Sequence, residues 1–590
     1  MALGSLVFTI LVVILGYRYY AKKVDRDIVQ ADVNRATPAK MYNDGVDFMP
    51  ASSSVLFGYQ FKSIAALGPI VGPITAIQYG WLPSIAWLVI GVFFIGWVQD
   101  YASAMLAMRY EGMTMGGLSY KLISPRARSL LLSFMYIYLL LIMGAFGAIV
   151  GPLLGGPTVP VGFLILVAAG VLAGQMTYRW KQDLVMTTFV TVAIALIGIY
   201  LGTMPWAKNL VYAINGGEKS PVLFSRPLGY GDMTQGAFIW AVVMLAFCYL
   251  GSVLPIWRFA QPVNYVSFWF VFLGIIGSVI GILIATFTGS VNTGFDIPAW
   301  VTAFQPKLGP IWPLLFVTIS CGAVSGWHSL VSTSGTARQL EKETDALPVG
   351  GGAMYTEAVL GVLSVVFAAT IGVSGGFYDP AQKFALVKGA AGVFAGGMAR
   401  FLTVVGVPET LGNAIGSIFL VVMAVTVMQL VLRFMRVASA ELLGDKMPIF
   451  KNAHVGSLVA VLLTLFLIAF GFWQFIWVLF GGSNQLFAGM ALLLISIWLA
   501  KDAKPTNWVF WPGMFMYVTT VAALLYTSVY NALWVGVIKA PADATAGFII
   551  GNVITAAFGL YMVVAAVLLF FDGLKAFNTA KAGVAPAAAD

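Results

Sequence analysis

The chain reads as an all-α polytopic membrane protein: about 15 transmembrane helices in a five-plus-five inverted repeat, with extra helices at the N- and C-terminal ends. Three observations carry this reading. The first is composition. Of 590 residues, 60% are hydrophobic and only 9% are charged, whereas an ordinary soluble domain is about 25% charged. The second is the recurrence of apolar runs near the ~20 residues that a bilayer core requires. The third is that two of these runs, five spans apart, are interrupted by glycine and proline.

The elements follow in order. The first run, 5–21, leads into YRYYAKK and has no small-residue cleavage site, so it is expected to be a retained helix rather than a signal peptide. With the basic loop after it, it forms an N-terminal unit, 1–51. Runs at 52–78, 81–107, 129–153, 158–176 and 184–204 make a first group of five, 52–204. Runs at 236–256, 266–288, 309–332, 356–376 and 412–436 make a second, 236–436. An odd number of spans per group inserts the second upside down relative to the first, the arithmetic of an inverted repeat. The amino-acid/polyamine/cation transporter superfamily has this plan. Runs at 454–472, 474–498, 508–530 and 545–571 are peripheral additions, 454–571, and 572–590 is a tail ending in a disordered GVAPAAAD.

The net charge of +9 is explained by topology. Alternating the loops between sides places 23 Lys and Arg on one side and 8 on the other, with Lys62 inside a span. The positive-inside rule makes the rich side cytoplasmic. The N-terminus is then outside and the C-terminus cytoplasmic. The basic excess is therefore not a nucleic-acid surface. Cys248 and Cys321 both fall within spans, so no disulfide framework is expected. The glycines at 350–352 lack the lysine of a phosphate-binding loop, and no Ser-His-Asp elbow is present. With no connection long enough for a soluble domain, the chain is not expected to be an enzyme or to carry a cofactor. Its partners are the bilayer and a small-molecule substrate.

The interrupted spans locate the candidate site. Gly68-Pro69 and Gly72-Pro73 lie near the middle of the run Ser52 to Ile77, and Gly251, Ser252 and Pro255 late in the run Gly236 to Trp257. Proline removes a backbone donor, and glycine accepts unusual dihedrals. In hydrocarbon, the freed backbone groups are tolerable only where they line a cavity or are buried in protein. Gly/Pro-interrupted spans at matching places in two halves point to a binding site for a transported solute. The expectation is a non-helical break between Gly68 and Pro73, facing a second at Gly251–Pro255. Lys62, Gly68, Pro69, Gly72, Gly251 and Ser252 would then line the substrate.

Ionisable and polar groups inside the spans complete the candidates. Lys62 is a basic residue deep in a run, six positions before Gly68; such groups face a cavity or a partner. Asp100, beside Gln99, is a candidate proton carrier or partner of Lys62. His328 lies in SCGAVSGWHS, where Ser320 and Ser325 offer hydroxyls, and Ser325 and His328 share a helix face. Together with Lys62 and Asp100, these residues are the candidates for a coupling ion or proton, and this run is expected to pack on the 68–73 break. Asn484 and Gln485 interrupt another run as a structural polar motif, as does Gln429. No acid or second histidine stands at metal-ligand spacing, so no metal is expected.

Five strings together resemble the carbon starvation protein A family of bacterial transporters: LFGYQFKSIAALGPIVGP (56–73), WLVIGVFFIGWVQD (87–100), LPIWRFAQPVNY (254–265), CGAVSGWHS (321–329) and WVLFGGSNQ (477–485). The resemblance implies a secondary transporter in the bacterial inner membrane. It would import short peptides or pyruvate-like carboxylates under carbon limitation, as a proton symporter working by alternating access. A slow-turnover nutrient sensor on the same fold is the alternative. The chain departs from the family pattern where two adjacent histidines give way to Tyr59 and Gln60, and an aspartate to Gln429. Lys62 is a further departure, and it is the candidate to take over the work of the lost titratable groups.

Overall fold

The computed structural model describes residues 1–228 and 231–584. Among them, 13 helices are long and apolar enough to cross a bilayer, and a bent pair makes a fourteenth crossing. In chain order these are α1 (Ala2–Val29), the pair α2 (Ser53–Ile64) and α3 (Gly68–Tyr79), α4 (Trp81–Arg109), α5 (Pro125–Leu154), α6 (Pro160–Arg179), α7 (Leu184–Gly202), α8 (Gln235–Val253) and α9 (Ala260–Thr288). Two short helices follow, α10 (Ile311–Thr318) and α11 (Gly326–Ser334). Then come α12 (Glu343–Ile371), the short α13 (Ala390–Val404), α14 (Glu409–Leu443), α15 (Ala453–Phe470), α16 (Trp473–Lys501), α17 (Asn507–Ile538) and α18 (Ala546–Val584). Among the described residues, three two-stranded ribbons sit in the connections. The all-α membrane class therefore stands, and 309–332 is the run that resolves into two short helices instead of one span.

The first break lies slightly upstream of its expected place. α2 and α3 meet at 42° across residues 65–67, and Gly68 already belongs to α3. Pro69 occupies the first turn of α3, where a missing N–H costs nothing and the fixed φ favours the helix. Pro73 stays inside the helix.

The second break is not at Gly251–Pro255. α8 runs unbroken through Gly251 and Ser252, and Leu254 is already extended. Glycine at 251 serves packing: a Cβ there would lie 2.3 Å from Gln429 Oε1. The break falls instead at 319–325, between α10 and α11. Groups from distant helices stabilise it. Trp87 Nε1 donates to the carbonyls of Phe316 and Ile319 at 3.2 and 3.1 Å, and the backbone N–H of Trp327 donates to Asn484 Oδ1 at 3.1 Å.

The two breaks lie side by side. A Cβ on Gly68 would sit 2.4 Å from Cys321 Cβ, and one on Gly72 2.4 Å from the Thr318 carbonyl oxygen. Around them the helices exchange partners. α4, which follows the first broken span, packs on α11; α12, which follows the second, packs on α3. α5 and α14 pack on each other, and α8 and α15 each touch both. α9 lies along α2, and α16 along α11. Reciprocal packing of this kind is what an inverted repeat produces. α6 and α7 pair closely with one another as a hairpin outside this exchange.

At the C-terminal end, helix replaces the first part of the expected tail. α18 continues to Val584, because Phe577 stacks on Phe510 at 4.6 Å between ring centroids and Leu574, Ala576 and Ala580 pack on the core. The last residues of the GVAPAAAD string, 585–590, lie outside the described residues.

Candidate functional site

Four ionisable side chains converge beside the breaks: Lys62 from α2, Asp100 from α4, His328 from α11 and Glu357 from α12, each 0% exposed. His328 stands in the first turn of α11, where the partial positive charge of the helix end favours carboxylates. Its Nδ1 lies 3.1 Å from Asp100 Oδ2. On the other edge of the ring, Nε2 lies 3.3 Å from Glu357 Oε2, without hydrogen-bond alignment. Asp100 Oδ1 and both Glu357 oxygens have no hydrogen-bond partner. The imidazole is thus clamped between two carboxylates in a space closed to solvent. Unpaired carboxylate oxygens in such a place are costly, which marks them as candidates for chemistry rather than for stability.

The backbone that positions these groups is built from small residues. On α12, Glu357 and Gly361 share a face, and a Cβ on Gly361 would lie 2.8 Å from Leu88. On α4, Gly91 and Gly96 let Ala323 approach, with Cβ positions 2.8 Å from its side chain and 2.5 Å from its carbonyl oxygen. Gln99 Nε2 donates to the Ser325 carbonyl and to Ser329 Oγ, and Ser103 reaches Ser329 at 3.1 Å. These bonds hold α4 against the first turn of α11 and set Asp100 opposite His328.

Lys62 and Asp100 are not hydrogen-bonded to one another. Lys62 Nζ donates to Thr426 Oγ1 on α14 at 2.7 Å, while Asp100 turns to the histidine. Ser320, Cys321 and Ser325 gather around Asn484, whose Nδ2 donates to them at 3.3, 3.7 and 3.1 Å. Asn484 Oδ1 also accepts from Tyr138 at 2.6 Å. Gln485 Nε2 donates to the Ile319 carbonyl at 3.4 Å. Both α16 residues therefore brace the second break. Gly68, Pro69 and Gly72 lie against that same break, with Pro69 Cβ 3.4 Å from the Cβ position of Gly322.

Gly251 and Ser252 are set apart from this cluster. Ser252 Oγ pairs with Ser457 Oγ at 2.8 Å on α15. Gly251 meets Gln429, whose Nε2 donates to Asn264 Oδ1 at 2.9 Å, and Asn264 in turn donates to Ser63 Oγ at 2.9 Å. The connection to the first break is therefore indirect. Arg433 donates to the Gly251 carbonyl at 3.1 Å, to the Leu254 carbonyl, and to Asp47 Oδ1 at 2.6 Å.

Asp47 belongs to a strap, residues 44–51, that ties several elements together. Trp257 Nε1 donates to the Gly45 carbonyl at 2.9 Å, and the N–H of Ala51 to the Gln339 carbonyl at 3.0 Å. Asp44 organises the strap by accepting from the N–H groups of Val46, Asp47 and Phe48 at 2.8 to 2.9 Å. Partial burial pushes its carboxyl up, but these donors outweigh it and hold Asp44 below the usual carboxylate range.

Glu357, Cys321 and Thr426 did not stand out in the sequence. The apolar run 356–376 puts Glu357 at its edge, whereas α12 begins at Glu343 and carries Glu357 at its middle. The expectation of no metal rested on local spacing. In the fold, Cys321, His328 and Glu357 bring their ligand atoms within 4.8 Å of one another.

Comparison with known proteins agrees with the sequence pattern. The family model described as carbon starvation protein CstA matches residues 1–383 and 380–523. A peptide transporter CstA of Campylobacter jejuni is 28% identical over 594 residues, covering 88% of this chain and 79% of that protein. A pyruvate/proton symporter, BtsT of Escherichia coli, is 29% identical over 409 residues, 66% of this chain; this chain spans about half, 51%, of that relative. Among solved structures, MhsT in complex with L-phenylalanine is similar at a TM-score of 0.47 and 12% identity, over 89% of this chain and 99% of that one.

Proposed function

We propose that this chain, which belongs to the carbon starvation protein CstA family, is a secondary active transporter that imports a small carboxylate or short peptide together with protons. One observation carries the reading: a buried histidine stands between two buried carboxylates that keep unpaired oxygens, so the cluster can hold and release a proton. With Lys62 protonated and both Asp100 and Glu357 ionised, a neutral His328 would leave the cluster one charge short. One proton on the imidazole closes the gap. A net charge at this depth is expensive, so the proton is part of the site.

The two breaks supply the substrate's surroundings. α3 and α11 each begin at a break, and their N-termini carry partial positive charge that favours an anion. Lys62 lies in the last turn of α2, directly before the first break, and offers an ammonium to the same place. A carboxylate held there brings a negative charge that a further proton offsets, which is the logic of symport. When α11 shifts against α4 and α12, the contacts of His328 with Asp100 and Glu357 open, and the proton is exposed to one side. Lys62 takes the place of the titratable groups absent at Tyr59, Gln60 and Gln429.

The repeat units of this reading follow the breaks. One half runs over 53–288, with the α6–α7 hairpin inserted, and the other over 311–501. These replace the sequence-based halves 52–204 and 236–436. The basic loops set the orientation, N-terminus outside and C-terminus cytoplasmic, in a bacterial inner membrane. Uptake during carbon limitation is the physiological setting.

The test is uptake of labelled pyruvate and of a labelled dipeptide into proteoliposomes under an imposed pH gradient, with a sodium gradient varied separately. Accumulation that collapses with a protonophore and ignores sodium is the expected outcome. Accumulation driven by sodium and indifferent to the pH gradient refutes the proton reading, and no accumulation of either solute refutes the substrate reading.

A further inference from the structure

The arrangement around His328 has the features of a metal site. Cys321 Sγ, a His328 ring nitrogen and a Glu357 carboxylate oxygen lie within 4.8 Å of one another, and all three residues are buried. In the tautomer that keeps the proton on Nδ1, 3.1 Å from Asp100 Oδ2, the Nε2 lone pair faces Glu357. Neither Nε2 nor either Glu357 oxygen has a hydrogen-bond partner. At 3.3 Å, Nε2 and Glu357 Oε2 are held together either by a shared proton or by a cation bound to both. A carboxylate behind the far nitrogen of an imidazole is the arrangement that fixes the tautomer of a metal-binding histidine and raises its basicity.

We propose that Cys321, His328 and Glu357 form a three-ligand site for one borderline-soft divalent cation of the zinc class. A sulfur, an imidazole nitrogen and a carboxylate select such an ion over magnesium or calcium, which prefer all-oxygen sites. Three protein ligands leave one coordination position open. The charge count also allows it: two protons, one from the imidazolium and one from the thiol, exchange for one divalent ion with no change in the net charge of the cluster. The ligands come from the second break, the first turn of α11 and the middle of α12. A bound ion therefore staples together segments that alternating access must separate, and it arrests the cycle. The ion enters when the Gly68–Cys321 contact opens.

The site is tested on the full-length protein in detergent, stripped with a chelator and kept reduced with a non-thiol reductant, by titration with cobalt(II). The expected result is one equivalent bound, with thiolate-to-cobalt charge-transfer absorption that zinc abolishes and magnesium does not. Cys321→Ser loses this absorption, while Cys248→Ser and His454→Gln keep it. Asp100→Asn, which removes the support behind the imidazole, weakens binding by roughly 10- to 100-fold and provides a second variant should Cys321→Ser fail to fold. Absence of stoichiometric cobalt binding by the wild-type protein overturns the proposal, as does a charge-transfer band that survives Cys321→Ser. The titration uses neither substrate nor gradient, so its failure is separate from failure of the transport reading.

Discussion

Gly68→Ala probes the contact on which the paired breaks depend. An added Cβ would sit 2.4 Å from Cys321 Cβ and 2.5 Å from its Sγ. Carbon atoms in contact prefer about 3.5–4.0 Å, so the two segments must part by more than an ångström. Rotating Cys321 moves its sulfur but not its Cβ, which the backbone of the break holds in place. Overpacking of this kind costs about 1–3 kcal/mol. If that cost falls wholly on the closed arrangement, its population relative to open forms drops by about 5- to 150-fold, at tenfold per 1.4 kcal/mol. The assay is the initial rate of uptake in proteoliposomes, paired with thermal unfolding in detergent. Uptake should fall within that range, and the unfolding temperature should drop. Adding Cys321→Gly removes both opposing atoms and should recover a large part of each loss. Wild-type uptake and stability in Gly68→Ala alone would refute the reasoning, because the closed breaks could not then be part of the working cycle.

The other expected outcomes concern the polar cluster and the strap. Glu357→Gln keeps the shape and removes the charge, so uptake driven by a pH gradient should be lost while exchange of labelled for unlabelled substrate persists; gradient-driven uptake at the wild-type rate counts against the relay. Lys62→Met removes the amine that donates to Thr426 Oγ1 and should abolish substrate binding, read as loss of the ligand-induced rise in unfolding temperature; a wild-type rise counts against a carboxylate held at Lys62. Asn484→Leu strands the Tyr138 hydroxyl and the Trp327 N–H at about 1–3 kcal/mol for each unsatisfied group, so it should destabilise more than Gln485→Leu, which removes one long bond. Asp44 has a folded pKa lowered from 3.8, so its contribution is fully present above the unfolded value and disappears as pH falls through the folded value. Limited proteolysis within 44–51 should therefore increase in acid, and Asp44→Asn should show the acid-like cleavage already at neutral pH.

Local sequence determined much about this protein. Hydropathy is a property of about 20 consecutive residues, and it disclosed the membrane class and nearly every crossing. Proline and glycine act on their own backbone, so Gly68-Pro69 announced the first broken span to within a few residues. Lys62, Asp100 and His328 stood out because a charge inside an apolar run is visible without any fold. The tertiary structure decided what is held between distant segments. The second break falls at 319–325 rather than at Gly251 because its freed backbone groups find Trp87 on α4 and Asn484 on α16, and a one-dimensional reading has no access to those partners. Glu357 joined the site because α12 begins earlier than its apolar run and brings that carboxylate to the level of the imidazole. Asp100 faces His328 rather than Lys62 because Gln99 and Ser103 lock α4 onto α11. The chain itself specifies where the backbone breaks easily and which charges are buried. Which break is realised, and which charges meet, depends on hydrogen-bond partners and close glycine contacts that form only when all the helices are packed.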